Sequence, residues 1–255
     1  KPADINSLED LSKLPLVYKE DFRKNYPYGM LAVNKSEIVR THASSGTTGK
    51  PTVVGYTKRD IEMWNETVKR VVVMAGARPG YTAQISFGYG MFTGGFGLHY
   101  GLENLGCNII PMSTGNTDRQ IMFMKDLGTD LIIATPSYLL HLTETIVKNG
   151  FDPKKDFNLK AGILGGEALS EKMRDELNSY WGDDVLFTQN YGMSELNGPG
   201  VAGECKYKCG MHINEDYYIA EVIDPETEEV LEDGEEGVLV ITCLQKDAIP
   251  LIRYK

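Results

Sequence analysis

Cysteine is scarce in this chain, four residues in 255, which excludes a disulfide scaffold for a domain of this size. Basic residues are outnumbered, 26 against 36 acidic ones. The resulting net charge of −10 argues against nucleic acid or an anionic membrane surface as principal partner, so any polyanionic ligand must be held by local donors. No run of 18 or more apolar residues occurs, and no membrane-spanning helix is read. The first residues lack the basic, apolar and small-residue segments of a secretory leader, and a cytoplasmic protein is expected. Absent too are low-complexity tracts, a fixed-period repeat and a Gly-x-Ser-x-Gly elbow, and the four histidines have no triad context. What remains is ordinary for a globular protein, with 42% apolar and 24% charged residues. The length suffices for a full core, and one large α/β domain is expected rather than two small ones.

The most distinctive stretch is Ala43-Ser44-Ser45-Gly46-Thr47-Thr48-Gly49-Lys50-Pro51. Gly46 and Gly49 let the backbone approach a ligand closely, so that main-chain N–H groups, four hydroxyls and the Lys50 ammonium can converge on an anion. That suits a polyphosphate; taken alone, the run also suits a surface turn. It is not a Walker A loop, which needs Gly in place of Ser44 and Ser or Thr in place of Pro51. Strand-like segments 36–41 and 52–56 flank it and predict a hairpin with the loop at its tip.

Apolar residues Ile61, Trp64, Val68, Val71, Val72 and Ala75 then recur at helical spacing, with Thr57 as N-cap and Asp60 three positions on. Strand 82–87 follows, and the glycine-rich Gly88 to Gly101, with Phe92 at its centre, reads as a pocket-lining loop. Strands 107–111, 131–134, 161–164 and 185–188 alternate with helices near 117–127, 136–148 and 170–180. Continuous apolar strands between amphipathic helices predict a parallel sheet covered on both faces, with ligands beyond the strands' carboxyl ends. Thr135-Pro136-Ser137-Tyr138, Gly165-Gly166-Glu167 and Gln189-Asn190-Tyr191-Gly192 are expected to follow strand ends on that edge. After Gly200 the alternating segments 217–223 and 237–242 predict a smaller antiparallel β subdomain, giving a division into 1–200 and 201–255.

With the glycine loop, Gly165-Gly166-Glu167, Tyr191-Gly192-Met193-Ser194-Glu195, His212-Ile213-Asn214-Glu215-Asp216 and Ile249-Pro250-Leu251-Ile252-Arg253-Tyr254 stand in an order that resembles the adenylate-forming superfamily, in particular its phenylacetate-coenzyme A ligase branch. With Leu14-Pro15-Leu16-Val17 the resemblance covers nearly the whole chain. It implies the core of an ATP-dependent aryl-CoA ligase: a carboxylate attacks the α-phosphorus of ATP, expelling pyrophosphate, and the thiol of coenzyme A then displaces AMP. It implies that Ser44, Ser45, Gly46, Thr47, Thr48, Gly49 and Lys50 hold phosphates. Gly165, Gly166, Glu167 and Ala168 would flank the adenine, and Tyr191, between Asn190 and Gly192-Met193-Ser194, would stack on it. Glu195 would hold magnesium, and Lys50 and Glu195 would carry the catalytic charge. Asp216 is a further nucleotide candidate, although an acid before a strand also serves turns. Phe92, Tyr138, Gly198 and Pro199 are candidates for an aryl-acid pocket; packing in the core explains any one aromatic equally well.

By the same resemblance, residues are expected before Lys1, and a ribose-binding aspartate followed by a C-terminal lid domain beyond Lys255. A small-molecule carboxylic acid is the expected partner, and a homodimer is compatible with the sequence. The alternatives are a non-catalytic module that binds a nucleotide or acyl-adenylate, and a P-loop phosphotransferase, which the Lys50-Pro51 step disfavours. Finally, Cys205, Cys209 and His212 lie within eight residues and Cys243 on a later strand, a set that suits structural zinc, against the alternative of packing in a small core.

Overall fold

The computed structural model describes residues 5–44 and 50–255. A 3-10 turn at Leu8–Lys13, helix α1 (Lys19–Lys24) and a second 3-10 turn at Lys35–Glu37 lead to strands β1 (Arg40–Ala43) and β2 (Val53–Tyr56). Then come α2 (Lys58–Met74), β3 (Thr82–Ile85), α3 (Thr93–Leu105), β4 (Asn108–Ile110), α4 (Thr117–Asp126), β5 (Leu131–Ala134) and α5 (Pro136–Lys148). The short α6 (Pro153–Asp156), β6 (Ala161–Leu164), α7 (Glu171–Trp181) and β7 (Leu186–Met193) follow. A 3-10 turn at Ser194–Leu196, β8 (Gly198–Glu204), β9 (Met211–Ile213), β10 (Tyr218–Ile223) and β11 (Val238–Cys243) complete the chain. Two compact units result, one of Lys1–Met63, Ser194–Leu196 and Ile213–Lys255, the other of Trp64–Met193 and Asn197–His212. Among the described residues no helix is long and apolar enough to cross a membrane.

The second unit is built on a seven-stranded sheet in the order β4-β3-β5-β6-β7-β8-β9. Strands β4 to β7 pair in parallel, as the unbroken apolar runs predict. Leu131, Ile132, Ile133 and Ala134 have no exposed surface, and Ile132 packs in one cluster with Leu139, Leu142, Leu177 and Phe187, each burial contributing roughly 1.5–3 kcal/mol. The α5 helix starts where expected, because the Thr135 hydroxyl accepts from Tyr138 N–H and Pro136 fills the first turn.

Two expectations fail in instructive ways. The stretch from Gly88 to Gly101 is not a loop throughout, since α3 begins at Thr93. Its glycines serve close packing: a Cβ on Gly97 would stand 2.5 Å from Trp64 Cζ2, and one on Gly101 2.3 Å from Val68 Cγ1. Nor do Gln189, Asn190, Tyr191 and Gly192 follow the end of a strand. They continue β7, which leaves its parallel partner β6 after Gln189 and pairs antiparallel with β8 from Asn190, with a bulge between Tyr191 and Gly192.

In the first unit β1 and β2 form the expected hairpin, Arg40 opposite Tyr56 and Ala43 opposite Val53. The β10–β11 pair is antiparallel, Tyr218 opposite Cys243 and Ile223 opposite Val238. Arg253 ties the approach segment to it, donating from Nη1 to the carbonyls of Ser12 (2.7 Å) and Leu14 (2.9 Å) and from Nε to Glu221 (3.0 Å).

Candidate functional site

The β1–β2 hairpin flanks the glycine-rich stretch in the sequence. Ser44 N–H donates to Thr52 O and Thr52 N–H to the Ser44 hydroxyl, both at 3.0 Å, closing the hairpin just outside the loop. Ser45, Gly46, Thr47, Thr48 and Gly49 lie outside the described residues. Lys50 is exposed, its ammonium 5.3 Å from the Tyr26 ring centroid.

In the same unit Glu195 is 3% exposed, and its Oε1 accepts from the Thr52 hydroxyl at 2.8 Å. The half-exposed Lys19 ammonium stands 3.8 Å from that oxygen. A buried carboxylate beside a hydroxyl is a set of hard oxygens, the donor type magnesium takes. Around it the backbone of the 194–196 turn is tethered at three successive carbonyls. Tyr56 Oη donates to Ser194 O (3.1 Å), Lys246 Nζ to Glu195 O (2.8 Å) and Tyr218 Oη to Leu196 O (3.2 Å). Lys246 is buried, and that burial pushes its ammonium down to about 8 against the raising influence of Cys243, Asp60 and Glu195. Burial likewise drives the Tyr56 phenol well above its ordinary value.

Asp60 fixes where Lys246 sits. Its carboxylate accepts from Thr57 N–H (2.8 Å) at the start of α2, where Asp60 N–H returns a bond to the Thr57 hydroxyl (3.1 Å). The same carboxylate accepts from the backbone of Asp247 (2.6 Å) and Ala248 (3.1 Å), so the expected N-cap pair also clamps the segment that carries Lys246. Asp216 is exposed and its carbonyl accepts from Gln245.

In the second unit a cavity of about 410 Å³, solvent mouth included, is lined by Phe87, Phe92, Thr93, Leu98, Gly165, Gly166, Asn190, Gly192, Met193 and Pro199. Its walls are mainly apolar and aromatic, with Phe87 and Phe92 edge to face at 6.3 Å. The glycines have separate reasons: Gly165 approaches the Asn190 carbonyl so closely that a Cβ would lie 2.9 Å from it, and Gly166 has φ +80. Asn190 accepts from Gly200 N–H at 3.4 Å through Oδ1, while its buried Nδ2 has no partner among the described residues. Tyr191 is half-buried on β7, and desolvation raises its phenol.

The remaining residues singled out in the sequence are placed elsewhere. Glu167 accepts from Ser137 N–H at 2.7 Å at the start of α5, and the Ser137 hydroxyl above all holds its carboxyl below the ordinary range; Ala168 beside it is exposed. Tyr138 packs against the cluster beneath α5 rather than lining the cavity with Phe92. Gly198 has φ +86 and its carbonyl faces Gly192, where a Cβ would come within 1.8 Å.

The zinc expectation is corrected. Among the described residues no group of three or more His, Cys, Asp or Glu is placed to hold a metal ion. His212 and Cys205 meet at 3.2 Å, Cys209 is exposed, and Cys243 is buried on β11 opposite Tyr218. Desolvation raises the Cys243 thiol, as for a cysteine packed in an apolar core.

Sequence reasoning missed Thr52, Tyr56, Tyr218, Lys246 and Phe87. A lysine beside the apolar run 248–251 was the available signal for Lys246.

Residues 24–243 match the family described as AMP-binding enzyme. The chain is 50% identical over 255 residues to phenylacetate-coenzyme A ligase of Pseudomonas putida and 49% identical to that of Aromatoleum evansii. All of this chain and 57% of each relative are covered, so it spans a little over half their length. Among solved structures it is similar to an open conformation of 2-hydroxyisobutyryl-CoA ligase in complex with 2-HIB-AMP and CoA, with TM-score 0.92 and 25% identity, covering 100% of this chain and 60% of the other. A long-chain-fatty-acid-CoA ligase from Archaeoglobus fulgidus, at 19% identity and TM-score 0.66, shares the fold. The chain belongs to the AMP-binding enzyme family.

Proposed function

We propose that this chain is the nucleotide- and acid-binding core of a cytoplasmic ATP-dependent aryl-CoA ligase. The observation that carries the reading is Glu195, a buried carboxylate bonded to Thr52, which follows Pro51 at the end of the phosphate-type sequence. In the first half-reaction a carboxylate oxygen bonds to the α-phosphorus while the bond to pyrophosphate breaks; in the second, the coenzyme A sulfur bonds to the acyl carbon and AMP leaves. Both reactants of the first half are anions, so the protein's work is positioning and charge neutralisation. Glu195 and Thr52 would hold magnesium, which supplies charge compensation on the phosphates. Ser44, Lys50 and the loop between them bind the outer phosphates. Asn190 Nδ2, a buried donor at the cavity wall without a partner among the described residues, is suited to an acceptor on the ligand, and Tyr191 to stacking on a base. The aromatic lining of the cavity suits an aryl acid, and the relatives' names point to phenylacetate.

The test is acid-dependent ATP–pyrophosphate exchange by the intact protein over a panel of carboxylic acids. Exchange with phenylacetate or another aryl acid is expected. Its absence with every aryl and alkyl acid, while AMP still binds, would leave a nucleotide-binding module without this chemistry. Lys50→Ala should weaken ATP about tenfold and AMP little, since its charge meets the outer phosphates, a difference of about 1.4 kcal/mol. Equal losses in a calorimetric titration of both nucleotides would place Lys50 elsewhere.

A further inference from the structure

Three adjacent carbonyls, those of Ser194, Glu195 and Leu196, each accept a hydrogen bond from a different buried side chain: Tyr56 of β2, Lys246 of the segment after β11, and Tyr218 of β10. A 3-10 turn of three residues does not need this. Its carbonyls could turn to water or be satisfied by local backbone, whereas here each is reached from a separate element, Tyr56 over 138 positions of sequence, Lys246 over 51 and Tyr218 over 22. Lys246 is the least economical of the three. An ammonium 3% exposed directs its hydrogen bond to a neutral carbonyl and lies 4.9 Å from the Tyr56 ring centroid, a site where a methionine would pack without desolvating a charge. The desolvation cost of the ammonium makes a role in placing the turn a better account of Lys246 than packing alone. What the three bonds have in common is the residue at their centre. With its peptide fixed on both sides and Thr52 on Oε1, the Glu195 carboxylate has little freedom left.

We propose that Tyr56, Lys246 and Tyr218 are positioning residues which, by fixing the 194–196 backbone, hold the Glu195 carboxylate preset for the divalent cation that accompanies ATP. The inference rests on the assignment of Glu195 as that cation's ligand. Neither tyrosine nor the lysine touches the nucleotide in this scheme; each acts through the turn. A carboxylate that must be ordered at the moment of binding costs affinity, and the side-chain tethers remove that cost beforehand.

Tyr56→Phe and Tyr218→Phe each delete one hydroxyl and keep the packing, and Lys246→Met deletes the charge. In the intact protein with ATP present, Mn²⁺ binding followed by electron paramagnetic resonance should weaken roughly threefold to tenfold in each tyrosine variant and by about tenfold or more in Lys246→Met, a range that follows from loss of one hydrogen bond. AMP affinity, measured without metal, should stay at the wild-type value. In the exchange assay the Mg²⁺ concentration for half-maximal rate should rise while the KM for the acid holds. Unchanged Mn²⁺ affinity in all the variants that fold, or Mn²⁺ and AMP affinity falling together, overturns the proposal. The two tyrosine variants decide the matter even if Lys246→Met fails to fold. A wild-type protein that binds Mn²⁺ with ATP, weakens as expected in the variants, and yet exchanges no pyrophosphate with any acid upholds the positioning role and removes the ligase reading.

Discussion

Replacing Glu195 by glutamine in the intact protein is expected to lower acid-dependent pyrophosphate exchange by about 10²–10³-fold, the kinetic equivalent of the several kcal/mol that a metal ion contributes at a phosphoryl centre. The substitution keeps volume and leaves an oxygen to accept from Thr52, so the turn itself is preserved. What it removes is the negative charge, and with it the affinity for a hard divalent cation. AMP, which lacks the outer phosphates, should bind as to wild type. Thermal stability should hold or fall slightly, because the Lys19 ammonium and the buried Lys246 ammonium lose the negative charge beside them. Exchange kinetics over a range of Mg²⁺ concentration, with AMP titration as the control, read the outcome. Exchange within threefold of wild type would show that the cation is held without Glu195.

Much of this architecture is written locally and was therefore legible. The Thr57–Asp60 cap is a matter of three residues, and the parallel strands advertise themselves by unbroken runs such as Leu131 to Ala134. The β1–β2 hairpin follows from alternation on either side of the glycine-rich stretch. What escaped was set by partners distant in sequence. Thr52 reads as the first residue of a strand until its hydroxyl is seen on Glu195, 143 positions away. Tyr191 sits in a strand because β8 returns to pair with it, and nothing in residues 186–193 announces that exchange of partners. The zinc set failed for a related reason. Spacing within 205–212 says nothing of Cys243, whose position is decided by the pairing of β10 with β11. Most misleading were the glycines of 88–101, whose composition suggests an open loop. Four of them, Gly94, Gly95, Gly97 and Gly101, are helical and buried.

Those glycines support the second large effect. The α2 face of Trp64, Val68 and Val71 lies against Gly97 and Gly101 of α3 and Gly198, Gly200 and Gly203 of β8, with hypothetical Cβ atoms between 2.3 and 2.9 Å from it. Gly97→Ala is the sharpest probe. Trp64 has no exposed surface and its indole N–H donates to Pro199 O at 2.8 Å, so the ring cannot retreat from the added methyl without breaking that bond. Alanine would otherwise favour the helix by about 1 kcal/mol over glycine, while forced overpacking costs about 1–3 kcal/mol and loss of the indole bond about 1 more. The net should be a loss of about 1–3 kcal/mol, seen as a fall in Tm of roughly 2–12 °C for a chain of this size. Pro199 also borders the cavity, so a ring displaced toward it should raise the KM for the acid while ATP affinity holds. A rise in Tm would mean that helix propensity outweighs the contact and that α2 shifts freely over the glycine face.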